Sequence, residues 1–167
     1  RAKVPRAGPS CGSGGRRPRP SGRVRFSYLG KKPYLCAMNR LVIVGCGRLA
    51  EIVTDAVVRG MLPEYELVGV YSRTLSKAER IARKMERHGI CCAVCRTLEE
   101  LLSLKPDYLV EAASPAAMRE LALPALENGT SVVTLSIGAL ADASFYEKVR
   151  QTARAHGVRV YPVSGAT

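Results

Sequence analysis

Leu41-Val42-Ile43-Val44 is a continuous apolar run that ends at a glycine, the pattern of a strand buried on both faces. From Leu49 to Val58 the spacing turns helical, with Leu49, Ile52, Val53, Ala56 and Val57 on one side. Leu67-Val68-Gly69-Val70-Tyr71 is a second strand run. Ser76 to Arg87 reads as a second helix, with Ala78, Ile81, Ala82 and Met85 at helical spacing and Ser76 and Glu79 set as a capping box. Ile90 to Cys95 suits a third strand, and Thr97 to Glu100 caps a short helix in the same way. Tyr108 to Ala112 is a fourth strand. Pro115 to Glu127 is a helix opened by a first-turn proline and closed before Gly129. Ser131 to Leu135 is a fifth strand, Asp142 to His156 a helix, and Val158 to Tyr161 a sixth strand.

Short strands alternating with helices imply right-handed crossovers and a parallel sheet covered on both faces. No segment repeats at a solenoid period. No apolar run approaches the roughly 20 residues that a membrane-spanning helix needs.

Charge divides the chain. It has 167 residues, with 26 Lys+Arg against 14 Asp+Glu and a formal charge of +12. Residues 1–37 hold ten of the basic residues and no acid, so residues 38–167 carry sixteen basic and fourteen acidic groups, a net of +2. A chain-wide polyanion binder is therefore not what the body describes. The leader also holds five of ten prolines and six of fifteen glycines, and its lack of hydrophobic period predicts disorder. A nucleic-acid-touching tail, a transit peptide and a non-native extension all compete for it. The preferred expectation is that translation starts at Met38 and that 1–37 is read-through or a variable extension.

The turn after the first strand carries the clearest chemistry. Gly45-Cys46-Gly47-Arg48-Leu49-Ala50 fits G-x-G-x-x-G/A between a strand and a helix. Gly45 permits a tight turn, Gly47 lets a pyrophosphate approach the backbone, and Ala50 lets the helix pack closely on the strand. Free N–H groups at the helix start then face the phosphates. Arg48 faces either a phosphate or solvent. The expected fold is thus a Rossmann-type doubly wound α/β sheet over 38–167, preceded by the disordered basic leader.

The end of the second strand reads Tyr71-Ser72-Arg73-Thr74, without the acid that holds ribose hydroxyls in NAD-preferring sites. Ser72 and Arg73 can instead donate to a 2′-phosphate, and guanidinium suits phosphate geometry. The expectation is that NADP binds at least as well as NAD. An ordinary surface Ser-Arg pair is the alternative.

Further along, Glu111-Ala112-Ala113-Ser114-Pro115-Ala116-Ala117-Met118-Arg119-Glu120 is followed by Leu135-Ser136-Ile137-Gly138-Ala139-Leu140-Ala141-Asp142, and the chain closes with Tyr161-Pro162-Val163-Ser164-Gly165-Ala166-Thr167. With the glycine turn, these segments resemble the cofactor domain of L-aspartate dehydrogenases, relatives of homoserine dehydrogenase, from about Met38 to Thr167. The resemblance implies hydride transfer between a nicotinamide and the α-carbon of aspartate. The product, iminosuccinate, hydrolyses to oxaloacetate and ammonia or feeds NAD biosynthesis. It also implies that Ala113 and Ser114 lie along the nicotinamide ribose and that Ala166 stands beside the nicotinamide. Gly138 and Ala139 either shape the same wall or form a plain turn. Two positions depart from the family: Ala50 where many relatives have Gly, and Ser72 where many have Asp.

The resemblance places the catalytic histidine and an asparagine at the nicotinamide in a second domain, beyond the segment where this chain stops. The histidines present, His88 and His156, fall at helix ends before glycines, which is a structural position. The chain is therefore expected to be a cofactor-binding part that does not turn over alone, with no catalytic residue and no metal site of its own. Cys92 and Cys95 have C-x-x-C spacing, but no second pair accompanies them and in a strand they face opposite sides. The remaining expectations are a cytoplasmic protein with reduced thiols, L-aspartate as the small-molecule substrate, no nucleic-acid or membrane partner, and a homodimer at full length. Another two-domain NAD(P)-dependent oxidoreductase, such as a homoserine dehydrogenase or a dihydrodipicolinate reductase relative, or a stand-alone nucleotide-binding module, are the alternatives.

Overall fold

The computed structural model describes residues 38–163; the leader and Ala166 lie outside the described residues. The elements are β1 (Asn39–Val44), α1 (Arg48–Val58), β2 (Tyr65–Tyr71), α2 (Leu75–Arg87), β3 (Ala93–Cys95), α3 (Leu98–Ser103), β4 (Tyr108–Glu111), α4 (Pro115–Glu127), β5 (Ser131–Thr134), a 3-10 turn (Ile137–Ala141), α5 (Ala143–Ala155) and β6 (Val160–Pro162). The sheet has the order β3-β2-β1-β4-β5-β6, and every neighbouring pair is parallel. This is the doubly wound arrangement that the alternation implied.

Side-chain alternation along β1 separates two cores. Leu41 and Ile43 join Leu67, Val70 and Val110 under α1 and α2, with Ala78, Ile81 and Met85 filling from α2. Val42 and Val44 join Leu109 and Val132 under α3, α4 and α5, with Leu101, Met118, Leu126, Phe145 and Val149 filling. Burying each of the larger side chains stabilises the fold by about 1.5–3 kcal/mol.

Register brings the functional edge together. Val44 is level with Tyr71 on one side and Glu111 on the other; Tyr71 is level with Cys95, and Glu111 with Thr134. The strands therefore end on one line, and the segments that follow β1, β2, β4 and β5 all leave from the same edge.

Three local expectations change. On α1 the buried positions are Ala50 and Thr54, with Val53 and Val57 packed partly against the core. Leu49 and Ile52 are 37% and 58% exposed. Ala50 must meet the sheet for the tight turn to close, and that contact sets the helix rotation from 50 through 53, 54 and 57. On α2 the helix starts earlier, at Leu75, with Thr74 as its N-cap and no side-chain cap. Ser76 and Glu79 then lie inside the helix, and Glu79 pairs with Arg83 instead. Finally, β3 begins at Ala93, shorter than the run from Ile90 suggested. Cys92 and Cys95 do pack on opposite faces of the sheet.

Candidate functional site

The strand order reverses between β1 and β4, so their carboxyl ends diverge into helices on opposite faces. Crevices of this kind are where doubly wound sheets bind ligands. A cavity of about 270 Å³ opens there, walled by Gly45, Cys46 and Gly47, by Tyr71 to Thr74 and Lys77, and by Ala112, Ala113 and Glu120.

Gly45 is required twice over. Its φ is +91°, and a Cβ there would stand 2.6 Å from the Ala112 carbonyl oxygen and 2.8 Å from the Ala113 Cα. The turn is held by the Tyr71 carbonyl, which accepts from the Gly45 N–H at 2.9 Å and from the Cys46 thiol at 3.7 Å. Burial pushes the Cys46 thiol up to about 11, so at neutral pH it is a protonated donor that ties the turn to β2.

Gly47 is different. Its φ of −91° suits any residue, and a Cβ there would meet no protein atom within 4 Å. The absence of a side chain serves the space outside it. Gly47 is also the N-cap of α1 and supplies no side-chain cap, so the first N–H groups of this 11-residue helix keep their donor capacity. An uncapped N-terminus behind an open glycine suits an anion with several acceptor oxygens, such as a pyrophosphate.

At the other end of the cavity lie Ser72, Arg73, Thr74 and Lys77. The Ser72 hydroxyl oxygen accepts the Thr74 N–H at 3.3 Å, which leaves its proton for a ligand. Arg73 and Lys77 are exposed, and among the described residues neither forms an ion pair. Two cations beside a second uncapped helix start, that of α2, make this the electropositive end.

The structure thus gathers Gly45, Cys46, Gly47, Ser72, Arg73 and Ala113 around one cavity. Arg48 and Leu49 lie on the exposed first turn of α1, outside the cavity wall. Ser114 caps α4, its hydroxyl accepting the Ala117 N–H at 3.2 Å. Ala139 is buried in the core beneath α4 and α5, in a 3-10 turn. His88 and His156 are C-caps of α2 and α5, at the ends of helices that run away from the strands' carboxyl edge. Sequence reasoning missed Lys77, whose signal is its position one helical turn after Arg73. It also passed over Glu111 as an individual residue, whose signal is an isolated acid in an apolar strand.

A larger groove of about 500 Å³ lies over α1 and α2, lined by Glu51, Arg80, Lys84 and neighbours. Most of its charges are matched: Arg80 pairs with Glu51, Arg83 with Glu79 at 3.3 Å and Lys84 with Asp55 at 2.7 Å, while Arg87 forms no ion pair among the described residues. It lies away from the switch point, and its Arg80 and Lys84 pairs join the two helices.

A parallel doubly wound sheet with an open glycine turn at its switch point defines the class of Rossmann-type dinucleotide-binding domains. Within that class the chain belongs to the family described as the homoserine dehydrogenase NAD binding domain, whose model matches residues 45–162. It is 35% identical over 129 residues to L-aspartate dehydrogenases of Methanococcus maripaludis and Methanocaldococcus jannaschii, covering 77% of this chain and 46% of each relative. The chain spans about half the length of the curated relatives it matches. Among solved structures it resembles scyllo-inositol dehydrogenase from Lactobacillus casei with NAD(H) and scyllo-inositol, with a TM-score of 0.61. That likeness covers 75% of this chain and 36% of the other at 15% identity, which speaks for the fold.

Proposed function

We propose that this chain is the cofactor-binding part of an NAD(P)-dependent L-aspartate dehydrogenase. The observation that carries the reading is the glycine turn: Gly47 leaves both space and unclaimed N–H groups at the switch point. The family match and the L-aspartate dehydrogenase relatives support the same assignment.

In this reading the pyrophosphate rests on the start of α1. The adenosine half lies toward β2, where Ser72, Arg73 and Lys77 surround its ribose. The nicotinamide half crosses to the β4 side, along Ala113 and Ser114. The nicotinamide supplies the hydride acceptor for the α-carbon of aspartate. The chain's own residues bind and orient; among the described residues the histidines stand at helix ends remote from the crevice, so proton transfer from the amine falls to groups outside them. The electropositive end favours NADP at least as much as NAD, because a 2′-phosphate meets two cations and no facing acid on β2.

Titration of the 167-residue chain with NADPH and NADH tests the binding step, and failure to bind either overturns the reading. Incubation with L-aspartate and NADP is expected to give no NADPH from this chain alone. Aspartate-dependent NADPH formation would overturn that division of labour. The family's description favours one other reading, homoserine as substrate, and in a protein that carries a substrate domain, oxidation of L-homoserine in place of L-aspartate would establish it.

A further inference from the structure

Glu111 ends β4 and is fully buried, although the two residues before it are apolar. A carboxylate survives burial only when its lone pairs are satisfied. Here five donors converge on it. One oxygen accepts the Ala113 N–H at 2.8 Å, the Ser114 N–H at 3.0 Å and the Ser136 hydroxyl at 2.9 Å. The other accepts the Thr134 hydroxyl at 2.8 Å and the Ser136 N–H at 3.2 Å.

The donors come from two separate segments, one leaving β4 and one leaving β5. Among the described residues no cation pairs with Glu111. An apolar side chain here would leave the buried Thr134 hydroxyl and three backbone N–H groups without this acceptor, so the carboxylate ties the two segments together. What a carboxylate adds is direction: it aims the N–H groups of Ala113 and Ser114 inward and sets where that segment stands. The same segment walls the cavity and touches the glycine turn, since the Ala112 carbonyl and Ala113 Cα stand against Gly45.

We propose that Glu111 is a positioning residue for the nicotinamide half of the crevice. It acts through Ala113, Ser114 and Ser136 and does not touch the cofactor. The proposal rests on the dinucleotide reading above.

Glu111→Gln supplies the test, because an amide nitrogen at either oxygen position faces at least one N–H donor and breaks the convergence. NADPH and adenosine 2′,5′-bisphosphate, which lacks the nicotinamide half, are each titrated against the parent chain and the variant, with folding checked by circular dichroism. The expected result is about tenfold weaker NADPH binding and an unchanged affinity for the bisphosphate. Equal weakening of both ligands, or of neither, overturns the positioning role while leaving the cofactor reading in place. A parent chain that binds neither ligand overturns both. Where Glu111→Gln does not fold, Thr134→Val and Ser136→Ala each remove one hydroxyl donor and are expected to shift NADPH alone, by about threefold. Equal shifts in the two ligands, or none, again overturn the role.

Discussion

The two helices that follow β1 and β2 begin without a capping side chain, whereas those that follow β3, β4 and β5 begin with one. Gly47 and Thr74 open α1 and α2 and leave their N–H groups without a side-chain acceptor. Ser114 and Asp142 open α4 and α5 and accept from Ala117 and from Ser144 and Phe145. Glu111 extends the same closure to the segments after β4 and β5. A capped helix start is self-sufficient, and an uncapped one offers its donors outward. The contrast separates an open side, whose helix starts keep their N–H donors available at the crevice, from a closed side, whose starts spend them on the chain's own shape.

The largest effect is expected where the two sides touch. Gly45→Ala would force a Cβ into the Ala112 carbonyl at a positive φ. Strain and overpacking together predict a loss of about 3 kcal/mol, read from the urea midpoint, together with loss of dinucleotide binding. A variant of parental stability would mean that the two turns do not depend on each other.

Gly47→Ser sharpens the contrast by closing the open side. The φ of −91° accepts serine, and nothing lies within 4 Å of the new Cβ. A serine N-cap would hold stability within about 0.5 kcal/mol of the parent or raise it. It would also consume an N–H and fill the space offered to phosphate, so NADPH affinity should fall about tenfold. Calorimetry of the free chain and titration of the ligand give the two numbers. Unchanged binding would show that the open space at Gly47 does not receive the ligand.

Arg73→Ala asks whether the second open helix start is selective. The side chain is exposed, so solvent screens it, and its contribution to a 2′-phosphate contact should be about 1 kcal/mol. NADPH affinity should fall about fivefold with NADH affinity steady. An unchanged ratio of the two would reduce Arg73 to a surface residue and leave Lys77 as the remaining cation.

Most of the open side was legible from sequence, and little of the closed side was. Gly45 announces its turn because only glycine tolerates that φ, and Gly47 stands out two residues on through the fingerprint spacing after an apolar strand. The strands and helices followed from periodicity, and the parallel, doubly wound sheet from their alternation. Three things were not readable. The rotation of α1 was ambiguous because Leu49 and Ile52 fit a helical stripe as well as Ala50 and Val53 do, and only the contact with the sheet decides. The start of α2 was hidden because Ser76 and Glu79 imitate a capping box one residue pair too late. The role of Glu111 depends on donors from Thr134 and Ser136, more than twenty positions away, and local spacing carries no trace of them.

The smallest expected effect concerns whether charge, beyond hydrogen bonding, matters to the closed side. Asp142 accepts from the Ser144 and Phe145 N–H groups at 3.0 and 3.1 Å and pairs with Arg119 at 3.2 Å. The Phe145 N–H above all, then Arg119 and Ser144, hold its carboxyl down at about 2. An unfolded aspartate titrates near 3.9, about two units higher. A depressed folded value means that Asp142 stabilises the fold above about pH 4 and loses that contribution as pH falls to about 2. Asp142→Asn keeps an acceptor for the two N–H groups and removes the charge. The variant should therefore be slightly less stable than the parent at neutral pH, and the gap should close as the pH falls from 4 to 2. Both partners are exposed, so added salt should narrow the gap as well. Urea midpoints of the two chains across that range give the comparison. A gap that stays constant with pH would assign the closure of α5 to hydrogen bonds alone and make Arg119, which also stacks 5.3 Å over the Phe145 ring, a packing residue.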